Sequence, residues 1–239
     1  MFWFQQGLCF LPTFLVIWAS FTFVVPYFIA IFRRDVDILF PYISSTGTTP
    51  PESCIFGLMT FISACAGIAT IYARYKFVEK LSHEPGVSDL RLNKAALGLG
   101  LLSCLGMCIV ATFQETAVTE VHDFGALLFF IPGVLYTILQ SIISYRSCPY
   151  GSSMTLFYVR LFIAIIAILS CVPTVIITAF YVDQAKLHRN PDEKDYRNSI
   201  AGAVFEWIAA YSFVCFFLTY IDDFKLFTLR VKAEYKDNS

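Results

Sequence analysis

The sequence predicts an all-α polytopic membrane protein: six transmembrane helices, both termini cytosolic, in a single membrane domain over residues 1–239. Three observations predict it. The chain is 57% hydrophobic and 15% charged, against about 45–50% apolar and about 25% charged in soluble domains. Its charges are spaced to leave gaps that match the roughly 20 residues needed to cross about 30 Å of hydrocarbon at about 1.5 Å per residue. The basic residues are also unequally shared between the two sides. A formal net charge of −1 gives no basic footprint for nucleic acid, so none is expected as a partner.

The gaps define the elements in order. No Asp, Glu, Lys or Arg precedes Arg33, and further gaps run from Ser53 to Ala73, Ala95 to Gln114, Phe124 to Tyr145 and Leu161 to Val182. Asn198 to Ile221 carries one charge, Glu206. The predicted spans are therefore about 8–32, 53–73, 95–113, 124–144, 159–182 and 199–221. The first lacks the basic start and short apolar core of a secretory signal and reads as retained. A transmembrane barrel would show short alternating segments instead of uniform apolar runs. No internal repeat is visible.

Eleven of the 17 Lys and Arg fall on the even-numbered loops and tail, Arg74 and Arg160 among them. Basic residues stay cytosolic, which places both termini there, although Arg33 and Arg34 directly after the first span argue the other way. Lys225, Arg230, Lys232 and Lys236 after the last span suit anionic lipid or simple positive-inside anchoring. On the opposite side, Pro41 to Glu52 reads as an ordered cap, with Gly and Pro fixing turns, and Asn190 to Tyr196 as a solvated turn.

Glu206 is the residue that most needs explaining, because an unpaired acid within a span costs about 2.5–3.5 kcal/mol. It lies six to eight residues into its span, on the side where the loop carrying Glu115, His122 and Asp123 opens. Two readings follow. In one, Glu206, His122, Asp123 and Glu115 form a lumenal polar site for a cation, protons or a lipid headgroup. In the other, a protonated Glu206 locks helices by a hydrogen bond to a neighbouring Ser, Thr or Tyr, and the loop is merely solvated.

Catalytic motifs are not evident. Three histidines, His83, His122 and His188, with His83 on the opposite face, do not suit catalytic zinc. Neither a Gly-x-Ser-x-Gly elbow nor a phosphate-binding glycine loop occurs. No cofactor or metal is expected. Six of the eight cysteines lie within spans, Cys54 lies at the edge of the second, and Cys148, just outside span four, is a candidate for palmitoylation. Ala96, Gly100, Cys104, Cys108 and Thr112, at four-residue steps, predict a small-residue packing seam in span three. Pro12, Pro26, Pro132 and Pro173 lie inside predicted spans and are expected to bend them.

Several strings carry a resemblance. PYISSTGTTPPE at 41–52, IFG at 55–57, TIYARYK at 70–76, IVATFQE at 109–115 and VHDFGA at 121–126 are followed by LQSIISYRSCP at 139–149, NPDEKDY at 190–196, FEW at 205–207 and FFLTYIDDF at 216–224. In that order they resemble the damage-regulated autophagy modulator (DRAM) family, and the short tail resembles its shorter-tailed member. Ser45 departs from the usual family string, where an Asp is common. The resemblance implies a six-span lysosomal membrane protein, non-enzymatic, that promotes stress-induced autophagy and links it to cell death. It would act through membrane lipids or other lysosomal and autophagy membrane proteins. The wider superfamily includes proteins tied to phosphoinositide regulation and lipid remodelling. A small-solute or proton transporter of the lysosomal membrane, or a lipid-binding or lipid-modifying protein, are the alternatives.

Overall fold

A computed structural model describes residues 7–82, 90–182, 186–225 and 227–229. Its helices are α1 (Phe10–Arg33), α2 (Glu52–Leu81), α3 (Leu90–Thr112), α4 (Thr119–Arg146), α5 (Met154–Tyr181), α6 (Tyr196–Leu218) and the short α7 (Tyr220–Phe224). One 3₁₀ turn, Ser45–Gly47, interrupts the first long connection. Among the described residues no strand occurs. Six helices, α7 continuing the sixth, are long and apolar enough to cross a membrane. Their outward faces are apolar: Phe14, Ile17, Phe21 and Phe28 on α1 are all exposed, as a lipid-facing surface requires.

Each helix packs on its neighbours in sequence, and α6 returns to α1, so the bundle closes on itself. Lipid gives no hydrophobic drive between helices, so close approach of small residues must supply the contact energy. The α3–α4 contact shows this most directly. Ser103 Oγ donates to Phe129 O at 2.8 Å, and Gly106 lies so close to α4 that an added Cβ would stand 2.6 Å from Gly125 O. Gly106→Leu should therefore force the two backbones apart, at a cost of about 1–3 kcal/mol or more. A lowered melting temperature of the purified protein, with Gly98→Leu unaffected because a Cβ there meets open space, is the expected result.

The predicted seam of α3 holds over its first three members and then turns away. Ala96, Gly100 and Cys104 are buried, with Gly100 against Ile71 and Tyr136, and Cys104 against Gly67. Cys108 is half-buried and Thr112 is exposed. Four-residue steps advance about 40° per step on a 3.6-residue helix, so the stripe rotates by about 160° between Ala96 and Thr112. Pro12 likewise departs from expectation. It sits in the first turn of α1, where a missing N–H breaks no helical bond. Pro26, Pro132 and Pro173 do lie inside α1, α4 and α5.

The helices run past the uncharged stretches. Arg74, Lys76 and Lys80 belong to the last turns of α2, and Arg160 to the second turn of α5. Arg74 and Arg160 are fully buried, which corrects their assignment to cytosolic loops. A charge ends a span only when it has no partner, and both of these have one. His83, Arg230, Lys232 and Lys236 lie outside the described residues.

Candidate functional site

Two polar clusters sit at opposite ends of the bundle. The first is built on the connection from α1 to α2. Residues 41–43 and 45–48 are buried, which makes this segment a plug between helix ends. Its own hydroxyls satisfy its backbone: Thr46 Oγ1 donates to Ile43 O at 2.7 Å and Thr48 Oγ1 to Ser45 O at 2.9 Å. Trp207 Nε1 of α6 donates to Pro41 O at 2.9 Å. Gly202 of α6 leaves the space that the Tyr42 hydroxyl occupies, since an added Cβ would overlap it. Burial pushes the Tyr42 phenol up to about 12.

Glu206 is held by this plug. Its Oε2 accepts the Ile43 backbone N–H at 2.6 Å, and its Oε1 accepts Ser44 Oγ at 3.5 Å. The α6 helix begins at Tyr196, earlier than predicted, so Glu206 lies about 15 Å along it. Its partner is accordingly a loop segment that descends to meet it. Neither sequence reading named the Ile43 amide.

Glu115, on the α3–α4 connection, is 3% exposed and accepts Ser45 Oγ at 2.9 Å. Burial is the main reason its carboxyl is raised from 4.5 to about 7, with the Asp123 charge adding to it and the Ser45 hydrogen bond opposing it. His122 Nδ1 lies 2.7 Å from Phe113 O. A carbonyl only accepts, so Nδ1 carries the proton and Nε2 is the atom left to vary. Asp123 is half-buried beside it. The structure thus places all four predicted residues, Glu206, Glu115, His122 and Asp123, on the wall of one cavity of about 130 Å³. Tyr42, Ser44, Thr174 and Thr178 complete its polar lining.

A second chamber of about 70 Å³ shares Ser44, His122, Ala126, Phe130 and Glu206 with the first. Glu206 therefore stands where the two meet. Among the described residues, no Lys or Arg lies within ion-pair distance of Glu206 or Glu115. No group of three or more His, Cys, Asp or Glu side chains among the described residues is placed to hold a metal ion.

Further out, Asp37 ties the first connection to the segment before α6: its Oδ1 lies 3.0 Å from His188 Nδ1 and its Oδ2 accepts Arg189 N at 2.8 Å. Lys186 pairs with Glu193 at 3.2 Å and Arg189 with Asp195 at 3.5 Å. The turn before α6 is exposed at Asn190, Pro191, Asp192 and Lys194, as its reading as a solvated turn expects, and these ion pairs tie it to the segment before it.

The second cluster, at the other end, was not foreseen. Asp223 Oδ2 pairs with Arg74 Nη1 at 2.7 Å and also with Arg160 Nη2. Arg74 Nε donates to Gln140 Oε1 at 3.1 Å, and Arg160 donates to Ser144 Oγ at 2.7 Å and Thr219 Oγ1 at 2.9 Å. Tyr220 packs against both guanidiniums, at 5.1 Å and 5.0 Å from ring centroid to Cζ, an arrangement worth about 2 kcal/mol when desolvated. These contacts bind α2, α4, α5, α7 and the α6–α7 junction at Thr219 together. Cys148 follows α4 in the next turn, half-buried, its thiol donating to Ser144 O at 3.3 Å.

Residues 7–227 match the family described as the Frag1/DRAM/Sfk1/Cwh43P N-terminal domain. The chain is 48% identical over 238 residues to DNA damage-regulated autophagy modulator protein 1 of Mus musculus, covering 100% of both chains. It is 46% identical to the Homo sapiens protein of that name, over 98% of each. It is 47% identical to DNA damage-regulated autophagy modulator protein 2 of Rattus norvegicus, over 98% of this chain and 90% of that one. No solved structure matches the chain.

Proposed function

Because the chain belongs to the Frag1/DRAM/Sfk1/Cwh43P family, we propose that it is a membrane-embedded modulator of autophagy. In this reading it resides in the lysosomal membrane, promotes stress-induced autophagy and the associated cell death, and is not an enzyme. The likeness to relatives named as autophagy modulators, running the whole length of the chain, supports the process. Six apolar helices support the membrane. Its partners are membrane lipids and other lysosomal or autophagy membrane proteins.

The working part in this reading is the cavity beneath residues 41–48, facing the lumen, and the observation that carries it is the Ile43 amide held on the buried Glu206 carboxylate at 2.6 Å. A loop anchored to a buried acid couples whatever occupies the cavity to the surface that partners meet. Glu206→Gln and His122→Ala, expressed in cells lacking the protein, should reach lysosomes and show autophagic turnover close to that of cells without it. Wild-type turnover from both variants would remove the cavity from the function.

A further inference from the structure

The first chamber opens between α4 and α5, where Leu127 and Ala179 on its wall are exposed. Those positions lie on apolar helix faces, so the opening looks sideways toward lipid rather than along the bundle axis. Between the polar groups the walls are apolar: Phe130, Ala126 and Val175 in the first chamber, and Phe56, Met107 and Phe129 in the second. An apolar cleft with a few placed polar groups is the usual form of a small-molecule site. Two buried carboxylates with no ion-pair partner among the described residues set the sign of the charge that fits.

A second, independent feature marks the inner chamber. Thr60 of α2 lines it, is only 5% exposed, and its Oγ1 has no hydrogen-bond partner. One turn on, Ser63 Oγ donates to the carbonyl four residues back, as do Thr22 and Thr70. A buried hydroxyl left unpaired costs about 1–3 kcal/mol, and a ligand atom in the chamber would relieve that cost. The first chamber's 130 Å³ corresponds to roughly four waters. That admits a compact head and its first methylene groups, with the remaining chain leaving through the α4–α5 opening.

Resting on the reading above that this cavity is the working site, we propose that it binds a single-chain cationic amphiphile: an ammonium head at Glu206 and Glu115, with its alkyl chain passing out between α4 and α5 into the bilayer. Thr60 accepts a hydrogen bond from the head or from a water that the head carries in. The ligand class is thus a primary alkyl amine.

The test uses the full-length protein in phosphatidylcholine nanodiscs, at one mildly alkaline pH, where Glu115 is ionised and an alkyl amine is still charged, with dodecylamine, dodecanol and ethylamine as probes. Melting temperature and bound probe are measured together. Dodecylamine should bind and raise the melting temperature, with dodecanol and ethylamine each about tenfold weaker or more, about 1.4 kcal/mol. Ala126→Leu, which fills both chambers, and Thr60→Val should each weaken dodecylamine binding. They keep the proposal testable if Glu206→Gln does not fold. Equal binding of dodecanol, equal binding of ethylamine, or unchanged dodecylamine binding in both Ala126→Leu and Thr60→Val would overturn it. If no amine binds while autophagic turnover still depends on Glu206, this inference fails and the proposed function stands. If amines bind and turnover ignores Glu206, the reverse holds.

Discussion

Asp223→Ala is expected to cost about 3–5 kcal/mol, the penalty for leaving buried charges without their counter-ion. The side chain is the one carboxylate among the described residues that pairs with Arg74 and Arg160, and both arginines are fully buried. Removing it leaves two neighbouring buried guanidiniums, both packed on Tyr220, without a counter-charge. For a chain of this size the loss corresponds to a melting temperature lower by about 10 °C, read by fluorescence-detected size exclusion after heating. The charge logic makes a second, opposite expectation. Replacing the whole set with apolar residues, Arg74→Met, Arg160→Leu and Asp223→Leu together, should recover most of that loss, because the desolvation cost disappears with the charges. If Asp223→Ala melts like wild type, the cluster does not hold the helix ends together.

A stability that declines as pH rises through about 7 is the second large effect expected. Burial raises the Glu115 carboxyl from 4.5 to about 7, so the folded protein holds this proton more tightly than the unfolded chain does. Stability then falls with rising pH wherever the folded state binds more protons. The contribution is fully present below about 4.5 and lost as pH passes about 7. Over that interval it amounts to about 3 kcal/mol. Glu115→Gln keeps an acceptor for Ser45 Oγ and removes the titration. Melting curves in mildly acidic and neutral buffer should differ more for wild type than for Glu115→Gln. Equal differences would mean that water reaches Glu115 in the native state.

The pH effect bears on where such a protein works. A carboxyl that gains its proton in a mildly acidic compartment keeps the 41–48 segment fastened there, through Ser45 and Glu115. At neutral pH the same contact carries a buried negative charge, with Asp123 adding to its cost.

Much of this was legible in the residues. Hydrocarbon penalises charge strongly enough that gaps between charges mark six helices, and Glu206 stands out because it breaks the sixth gap. The grouping of Glu206 with Glu115, His122 and Asp123 followed from which loops open on the same side. What could not be read depends on contacts distant in sequence. The Ile43 amide is 163 residues from Glu206, and no side-chain pattern announces a backbone donor. Arg74 and Asp223 are 149 residues apart. Counting them as loop charges followed from treating every charge as unpaired. The seam in α3 failed beyond Cys104 for a geometric reason, since a four-residue repeat drifts around a helix.

The central claim is that Glu206 is a buried carboxyl group on the wall of a cavity reachable from the membrane, fastened to the first connection. Dicyclohexylcarbodiimide, an apolar reagent that modifies protonated carboxyl groups shielded from water, tests this most directly when followed by mass spectrometry of the full-length protein. The account predicts labelling at Glu206, slowed in Ala126→Leu, where the filled chamber blocks the approach. A reagent that modifies exposed carboxylates such as Asp222 and leaves Glu206 untouched, or labels it equally in Ala126→Leu, would contradict it.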